Sequence, residues 1–65
     1  MIQINGNEAM QADGMSIADY RQSEGYVLSH IAVERNEVIV SKKDYTDTRI
    51  QDGDVIEIVQ FMGGG

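Results

Sequence analysis

The chain is short and has no cysteine, and together these features limit it to one fold around one apolar core. Its 65 residues are near the lower size of an independently folding unit, so a second core could not be built. Without disulfides, a domain of this size depends on burying its apolar residues efficiently. Hydrophobic residues make up 42% of the sequence, which is enough for such a core. We therefore expect one domain over residues 1–62 and a short tail over residues 63–65.

Composition and charge exclude several classes of function. The absence of cysteine excludes disulfides, thiolate metal sites and a cysteine nucleophile. A net charge of −6 argues against binding of a nucleic-acid backbone and favours protein partners with a basic surface. No apolar run is long enough to span a membrane, and no basic stretch leads into an apolar signal core. We expect a cytoplasmic location, with no nucleic acid and no membrane as partner.

The N-terminal part of the chain has the pattern of a β-hairpin. Residues 1–4 alternate apolar and polar side chains up to Asn5-Gly6, a pair that readily adopts the positive φ angles of a tight turn. We expect a returning strand near residues 8–12. An Asp-Gly pair at residues 13–14 then predicts a second turn.

A helix is expected between Ser16 and Gly25. The Ser16 hydroxyl can accept a hydrogen bond from an unpaired backbone N–H of the first turn, and glycine is a common residue just past a helix end. Arg21 and Glu24 occupy positions where a core-facing helix usually has apolar side chains, so the amphipathic pattern is weak. The packing around these two residues is left open by the sequence.

Three further segments are rich in β-branched residues. Residues 31–34 and 37–40 flank Arg35-Asn36, which predicts a second hairpin. A helical turn or loop is expected over residues 42–48. After an Asp-Gly turn, residues 55–59 are mostly apolar, which is typical of a central strand. A hairpin on each side of one helix predicts an α+β fold of the β-grasp type, with a mixed sheet packed against the helix.

The last residues, Met62-Gly63-Gly64-Gly65, carry the clearest indication of chemistry. A glycine run has no side chains to pack, so we expect it to form a flexible tail. At about 3.3–3.6 Å per residue, three glycines carry the terminal carboxylate of Gly65 roughly 10 Å beyond Met62. We assign reach to Gly63 and Gly64. Phe61 and Met62 are candidates for partner contact, although Phe61 could instead close the core.

Acyl activation is the chemistry that suits such a tail. A carboxylate can attack the α-phosphate of ATP, and a sulfur or nitrogen nucleophile can then displace AMP. The chain has no phosphate-binding loop, so the ATP would be used by a partner enzyme, with no cofactor bound by this chain. We expect no catalytic residue and no metal site, which makes the chain a co-substrate and not an enzyme. Terminal glycines can also be a cloning remnant or an end without function.

Other polar residues give weaker indications. His30 has no second His or Cys to share a metal, so a surface or strand-edge position is favoured. Residues 52–54, Asp-Gly-Asp, resemble a calcium loop but lack its full ligand spacing, so a turn is favoured. Lys42-Lys43 is too short for a nucleic-acid patch.

The sequence resembles the ThiS family of sulfur carriers of bacterial thiamin biosynthesis. The resemblance is carried by residues 2–6 (IQING), 31–36 (IAVERN), 52–59 (DGDVIEIV) and the terminal glycines, and it covers essentially the whole chain. It implies a ubiquitin-like β-grasp protein whose terminal glycine is adenylated and converted to a thiocarboxylate. The implied partners are a ubiquitin-activating-like adenylyltransferase, a cysteine-desulfurase-type sulfur donor and thiazole synthase.

Three alternatives stay open at this point. The small subunit of molybdopterin synthase shares the implied fold and Gly-Gly end, but it is usually longer and often has proline before the tail, whereas this chain has none. A ubiquitin-like modifier would join Gly65 to a lysine amine. An interaction module would be recognised through its sheet face or by strand addition, with the glycines irrelevant.

Overall fold

The computed structural model describes residues 1–61, and these form a five-stranded mixed sheet with one α-helix on one face. The strands are β1 (Gln3–Ile4), β2 (Asn7–Glu8), β3 (Ile31–Arg35), β4 (Val38–Val40) and β5 (Val55–Gln60), and the helix is α1 (Ile17–Glu24). The strand order is β2-β1-β5-β3-β4. β1 and β5 are parallel and the other neighbours are antiparallel, so the predicted mixed sheet with a central last strand is confirmed.

Both predicted hairpins are present, although the second turn lies one residue further along. Asn5 and Gly6 have φ angles of 52° and 81°, as a tight hairpin turn requires. In the second hairpin, Asn36 and Glu37 form the turn, with φ angles of 53° and 71°. The predicted turn at Arg35-Asn36 is therefore wrong, because Arg35 remains in β3, where its side chain bonds to the Asp54 carboxylate.

The expected strand over residues 8–12 is also wrong, because β2 ends at Glu8 and a 3₁₀ helix follows over Met10–Ala12. The helical turn brings Ala9 and Ala12, three residues apart, into the core together. An extended chain would instead have placed these two side chains on opposite faces. Two further 3₁₀ helices lie at Leu28–His30 and Lys42–Asp44, the latter within the predicted helical turn or loop.

The helix begins and ends as the sequence predicts. The Ser16 hydroxyl accepts a hydrogen bond from the Asp19 backbone N–H at 2.9 Å, and Gly25 ends the helix with a φ of 80°. Arg21 is half-buried and donates from Nη1 to the Tyr26 carbonyl at 3.2 Å, whereas Glu24 is exposed. Arg21 Nη1 is therefore satisfied by the chain just past the helix, whereas its buried Nε has no hydrogen-bond partner among residues 1–61.

The core lies between α1 and one face of the sheet. Alternate residues of the central strands enter it, and the buried apolar residues are Ile2, Ile4, Ala9, Ala12, Ile17, Tyr20, Ile31, Val33, Tyr45, Ile50, Ile56 and Ile58. In β5 only Ile56 and Ile58 face the helix. Val55, Glu57 and Val59 face the other side of the sheet and are exposed.

Replacing Tyr45 with phenylalanine should leave the free energy of unfolding unchanged or raise it by up to about 1 kcal/mol. The ring is 2% exposed, and its buried hydroxyl makes no hydrogen bond of standard geometry among residues 1–61, although the Val33 backbone is close enough to oppose the effect of burial on its pKa. Burial also raises the pKa of Tyr45, which keeps the hydroxyl neutral. Denaturant unfolding measures the change. A loss above about 1 kcal/mol would show that the hydroxyl makes a hydrogen bond in solution.

Candidate functional site

The candidate site is the C-terminal end of β5, where the predicted tail leaves the sheet. The Phe61 backbone N–H donates to the His30 carbonyl at 2.9 Å. This bond continues the β3–β5 pairing, in which Ile31 lies opposite Gln60, by one more residue. The backbone is therefore held by the sheet through Phe61. Met62, for which partner contact was expected, lies outside the described residues. So do Gly63, Gly64 and Gly65, to which reach and reactivity were assigned, and with them the predicted flexibility of the tail.

Phe61 does not close the core. Its side chain is 47% exposed, and the alternation of β5 places it on the same side as Val59, away from the helix. Of the two roles left open for Phe61, the exposed position favours partner contact. His30, opposite Phe61, is exposed and lies just before the start of β3, in agreement with the predicted surface or strand-edge position.

β5 is held in place by two asparagine side chains as well as by its neighbouring strands. Because β1 is only two residues long, it pairs with Val55 and Ile56 and leaves the later part of β5 without a partner on that side. The Asn5 side chain fills this gap: its Oδ1 accepts from the Ile58 N–H at 2.7 Å and its Nδ2 donates to the Ile58 carbonyl at 3.2 Å. The sequence identified Asn5 as a turn residue and missed this bonding role.

Asn36 holds the start of β5 from the opposite side. Its Oδ1 accepts from the Val55 N–H at 2.8 Å, and its backbone N–H donates to the Val55 carbonyl at 2.8 Å. The two asparagines thus extend the hydrogen bonding of β5 beyond the strand pairs. This arrangement fixes the strand from which the tail emerges.

Asp54, just before β5, is a buried carboxylate that joins three parts of the chain. It accepts hydrogen bonds from Arg35 Nε at 2.9 Å, Asn36 Nδ2 at 3.1 Å and the Gln51 N–H at 2.9 Å. Burial alone would raise the pKa of Asp54, but these donors and the positive charge of Arg35 outweigh burial and lower it. The sequence showed Asp54 only as part of a turn, because its side-chain partners are 18 and 19 residues away.

The neighbouring Asp52 is different, although it lies only two residues earlier. It is exposed and forms an ion pair with the N-terminal amine of Met1. That amine lowers the pKa of Asp52 by hydrogen bonding and by its charge. Asp52 and Asp54 therefore form a matched pair of acidic residues, of which one is at the surface and the other buried.

The remaining side chains of residues 1–61 do not assemble into a metal centre, since no three His, Cys, Asp or Glu residues lie close enough to hold an ion. Within the same residues, no helix is long and apolar enough to cross a membrane.

Comparison with known proteins decides the family. A model of the ThiS family matches residues 2–65. The chain belongs to the ThiS family. Two relatives named sulfur carrier protein ThiS match over the full length of both chains, with 39% identity for the protein of Bacillus subtilis and 32% for that of Thermus thermophilus. The predicted resemblance to ThiS sulfur carriers of thiamin biosynthesis is confirmed.

The fold agrees with a solved ThiS structure. The crystal structure of the thiamine biosynthesis protein (ThiS) from Geobacter metallireducens matches with a TM-score of 0.77 and 24% identity, over 98% of this chain and 97% of that one. At this identity the match supports the fold alone. The predicted ubiquitin-like β-grasp fold is confirmed.

ThiS-like sequence also occurs within longer proteins. A thiazole synthase of Paramagnetospirillum magneticum is 40% identical over 62 residues, and one of Magnetococcus marinus is 34% identical over 64 residues. This chain spans only 19% and 20% of the lengths of those two proteins. In both, a segment similar to nearly the whole of this chain is therefore part of a protein named thiazole synthase.

Proposed function

We propose that this ThiS-family chain carries sulfur on its C-terminal carboxylate for thiazole formation in thiamin biosynthesis. The observation that carries the proposal is the full-length match to a sulfur carrier protein ThiS, which includes the terminal glycines. The position of the tail supports it, because the tail follows a central strand whose backbone is held through Phe61. The partner would thus bind a tail whose point of attachment to the sheet is fixed.

In the proposed reaction, a carboxylate oxygen of Gly65 attacks the α-phosphate of ATP and pyrophosphate leaves. The product is an acyl-adenylate. A sulfur nucleophile then attacks the carbonyl carbon and AMP leaves, so that one carboxylate oxygen is replaced by sulfur as a thiocarboxylate. An adenylyltransferase related to ubiquitin-activating enzymes would bind ATP and supply the charges that stabilise these steps. The chain itself would act as co-substrate, without a cofactor of its own.

Two further partners complete the proposal. A donor of the cysteine desulfurase type would supply sulfur as a persulfide, whose outer sulfur attacks the adenylate carbonyl as AMP leaves. A thiol would then reduce the resulting acyl disulfide, which releases the thiocarboxylate and forms a disulfide between the thiol and the donor. A thiazole synthase would accept the sulfur from the thiocarboxylate. The similarity to segments of two thiazole synthases supports the second partner, because joining two domains in one chain raises their effective concentration. We place these reactions in the cytoplasm.

Intact-mass spectrometry tests the proposal. The chain is incubated with ATP, the adenylyltransferase of the same organism and sodium sulfide as the sulfur source. We expect the mass to increase by the difference between sulfur and oxygen, and only when ATP is present. An equal increase in a variant lacking Gly65 would overturn the proposal. Isopeptide-linked Gly-Gly remnants on lysines of other proteins, without any thiocarboxylate, would favour the protein-modifier alternative.

A further inference from the structure

We infer that thiazole synthase binds to the open face of the sheet. A basic side chain of the synthase contacts the acidic centre of this face, and apolar groups of the synthase contact the apolar residues on either side, up to the point where the tail begins. The open face is defined here as the side of β3 and β5 turned away from α1: Ala32, Glu34, Val55, Glu57, Val59 and, beyond the strand, Phe61. The inference rests on the proposed function only in naming thiazole synthase as the partner.

An unneutralised pair of carboxylates lies at the centre of the open face. Glu34 of β3 is directly opposite Glu57 of β5 in the strand register. Like charges in this position destabilise a sheet. Among residues 1–61 the cations within 4 Å of a carboxylate are the N-terminus, which pairs with Asp52, and Arg35, which pairs with Asp54. Glu34 and Glu57 thus lack an ion-pair partner in this part of the chain.

A shallow depression of about 490 Å³ lies over this pair of carboxylates. Its lining is Glu34, Asn36, Glu37, Val55 and Glu57. Glu37 contributes a third carboxylate from the hairpin turn. A guanidinium or ammonium group entering the depression would reduce the repulsion between Glu34 and Glu57.

Apolar residues lie on either side of the acidic centre along β5. Val55 is 48% exposed and Val59 is 53% exposed, and each is two residues from Glu57 on the same face. Phe61 extends the apolar part to the point where the tail leaves the sheet. A partner seated on this surface would therefore lie next to the tail whose sulfur it accepts.

The charges on the open face indicate which kind of partner can bind there. A second copy of the chain would bring carboxylates against carboxylates, and the net charge of −6 opposes such pairing. The same charge disfavours nucleic acid. A protein with a basic side chain among apolar ones fits both parts of the surface. Thiazole synthase is chosen because two relatives of that name contain a segment similar to nearly the whole of this chain.

The test compares two double variants that lose the same charge. Glu34→Gln/Glu57→Gln neutralises the open face, and Asp13→Asn/Glu24→Gln removes two exposed carboxylates elsewhere. Binding of each unmodified chain to purified thiazole synthase of the same organism is measured by titration calorimetry. We expect the open-face variant to bind at least about tenfold more weakly than wild type, and the control variant within about twofold. Wild-type affinity should also fall with added salt.

Thermal unfolding separates docking from a role in folding. Because the open-face variant loses a like-charge pair, we expect its midpoint to rise by about 2–5 °C while its affinity falls. Equal binding by wild type and the open-face variant would overturn the inference, as would absence of binding by wild type. Intact mass is measured on the same proteins. If the open-face variant binds more weakly but no thiocarboxylate forms, the docking inference is supported and the sulfur-carrier proposal is contradicted.

Discussion

Replacing Asp54 with alanine is expected to lower the free energy of unfolding by about 2–4 kcal/mol. The variant removes a carboxylate that is 5% exposed and leaves Arg35, Asn36 and the Gln51 N–H without their acceptor. A single core in a domain this small seldom supplies more than about 3–5 kcal/mol, so a large fraction of the variant should be unfolded. Denaturant unfolding followed by circular dichroism measures the effect.

Asp52→Ala is the matched control, because Asp52 is exposed and lies two residues away. Its stability should be close to that of the wild type, since exposed ion pairs contribute little. If both alanine variants were equally stable, the bonds around Asp54 would not have the structural role assigned to them.

The same carboxylate predicts a dependence of stability on pH. The pKa of Asp54 in the folded chain is below its ordinary value of 3.8, so its stabilising effect is present above that value. The effect is lost as the pH falls through the lower, folded pKa. Asp54→Asn has no such titration, and the difference in stability between wild type and this variant should therefore shrink as the pH is lowered below about 4. A constant difference over this range would contradict the assignment.

Substituting Gly64 with leucine is expected to slow thiocarboxylate formation by about a hundredfold or more. A branched side chain next to the reacting residue would obstruct a narrow channel in the partner and displace the carboxylate from ATP. The rate is measured from intact mass with ATP, adenylyltransferase and sulfide. Gly64→Ala should lie between leucine and wild type, because it adds only a methyl group.

Thermal unfolding provides the control for this series. Gly64 follows the strand that completes the domain, so the three proteins should unfold at the same temperature. A leucine variant that formed thiocarboxylate at the wild-type rate would contradict the role given to the tail. A shifted unfolding temperature would instead show that Gly64 belongs to the packed domain.

Much of the fold could be predicted from the sequence because the determining interactions are local. The Ser16 hydroxyl bonds three residues away, Gly25 adopts the left-handed conformation, and Asn5-Gly6 forms the expected turn. The apolar run over residues 55–59 correctly indicated a central strand. The segment after the first hairpin turn was predicted wrongly. An extended strand was expected over residues 8–12, but a 3₁₀ turn there brings two alanines into the core.

The parts that the sequence could not predict depend on register and on distant residues. Asn5 bonds to Ile58 across 53 residues. Glu34 and Glu57 become neighbours only once β3 and β5 are paired, so the acidic centre of the open face has no signature along the chain. By contrast, the terminal glycines were recognisable at once, because their character depends on composition alone.

Fragment-ion mass spectrometry of the charged protein tests the central claim most directly. Wild-type chain is incubated with ATP, adenylyltransferase and sulfide, and the position of the added sulfur is read from its C-terminal fragments. We predict that every fragment ending in Gly65 carries the added mass and that fragments lacking this residue do not. Sulfur found at any other residue, or an unmodified Gly65 after the adenylyltransferase has consumed ATP, would contradict the account.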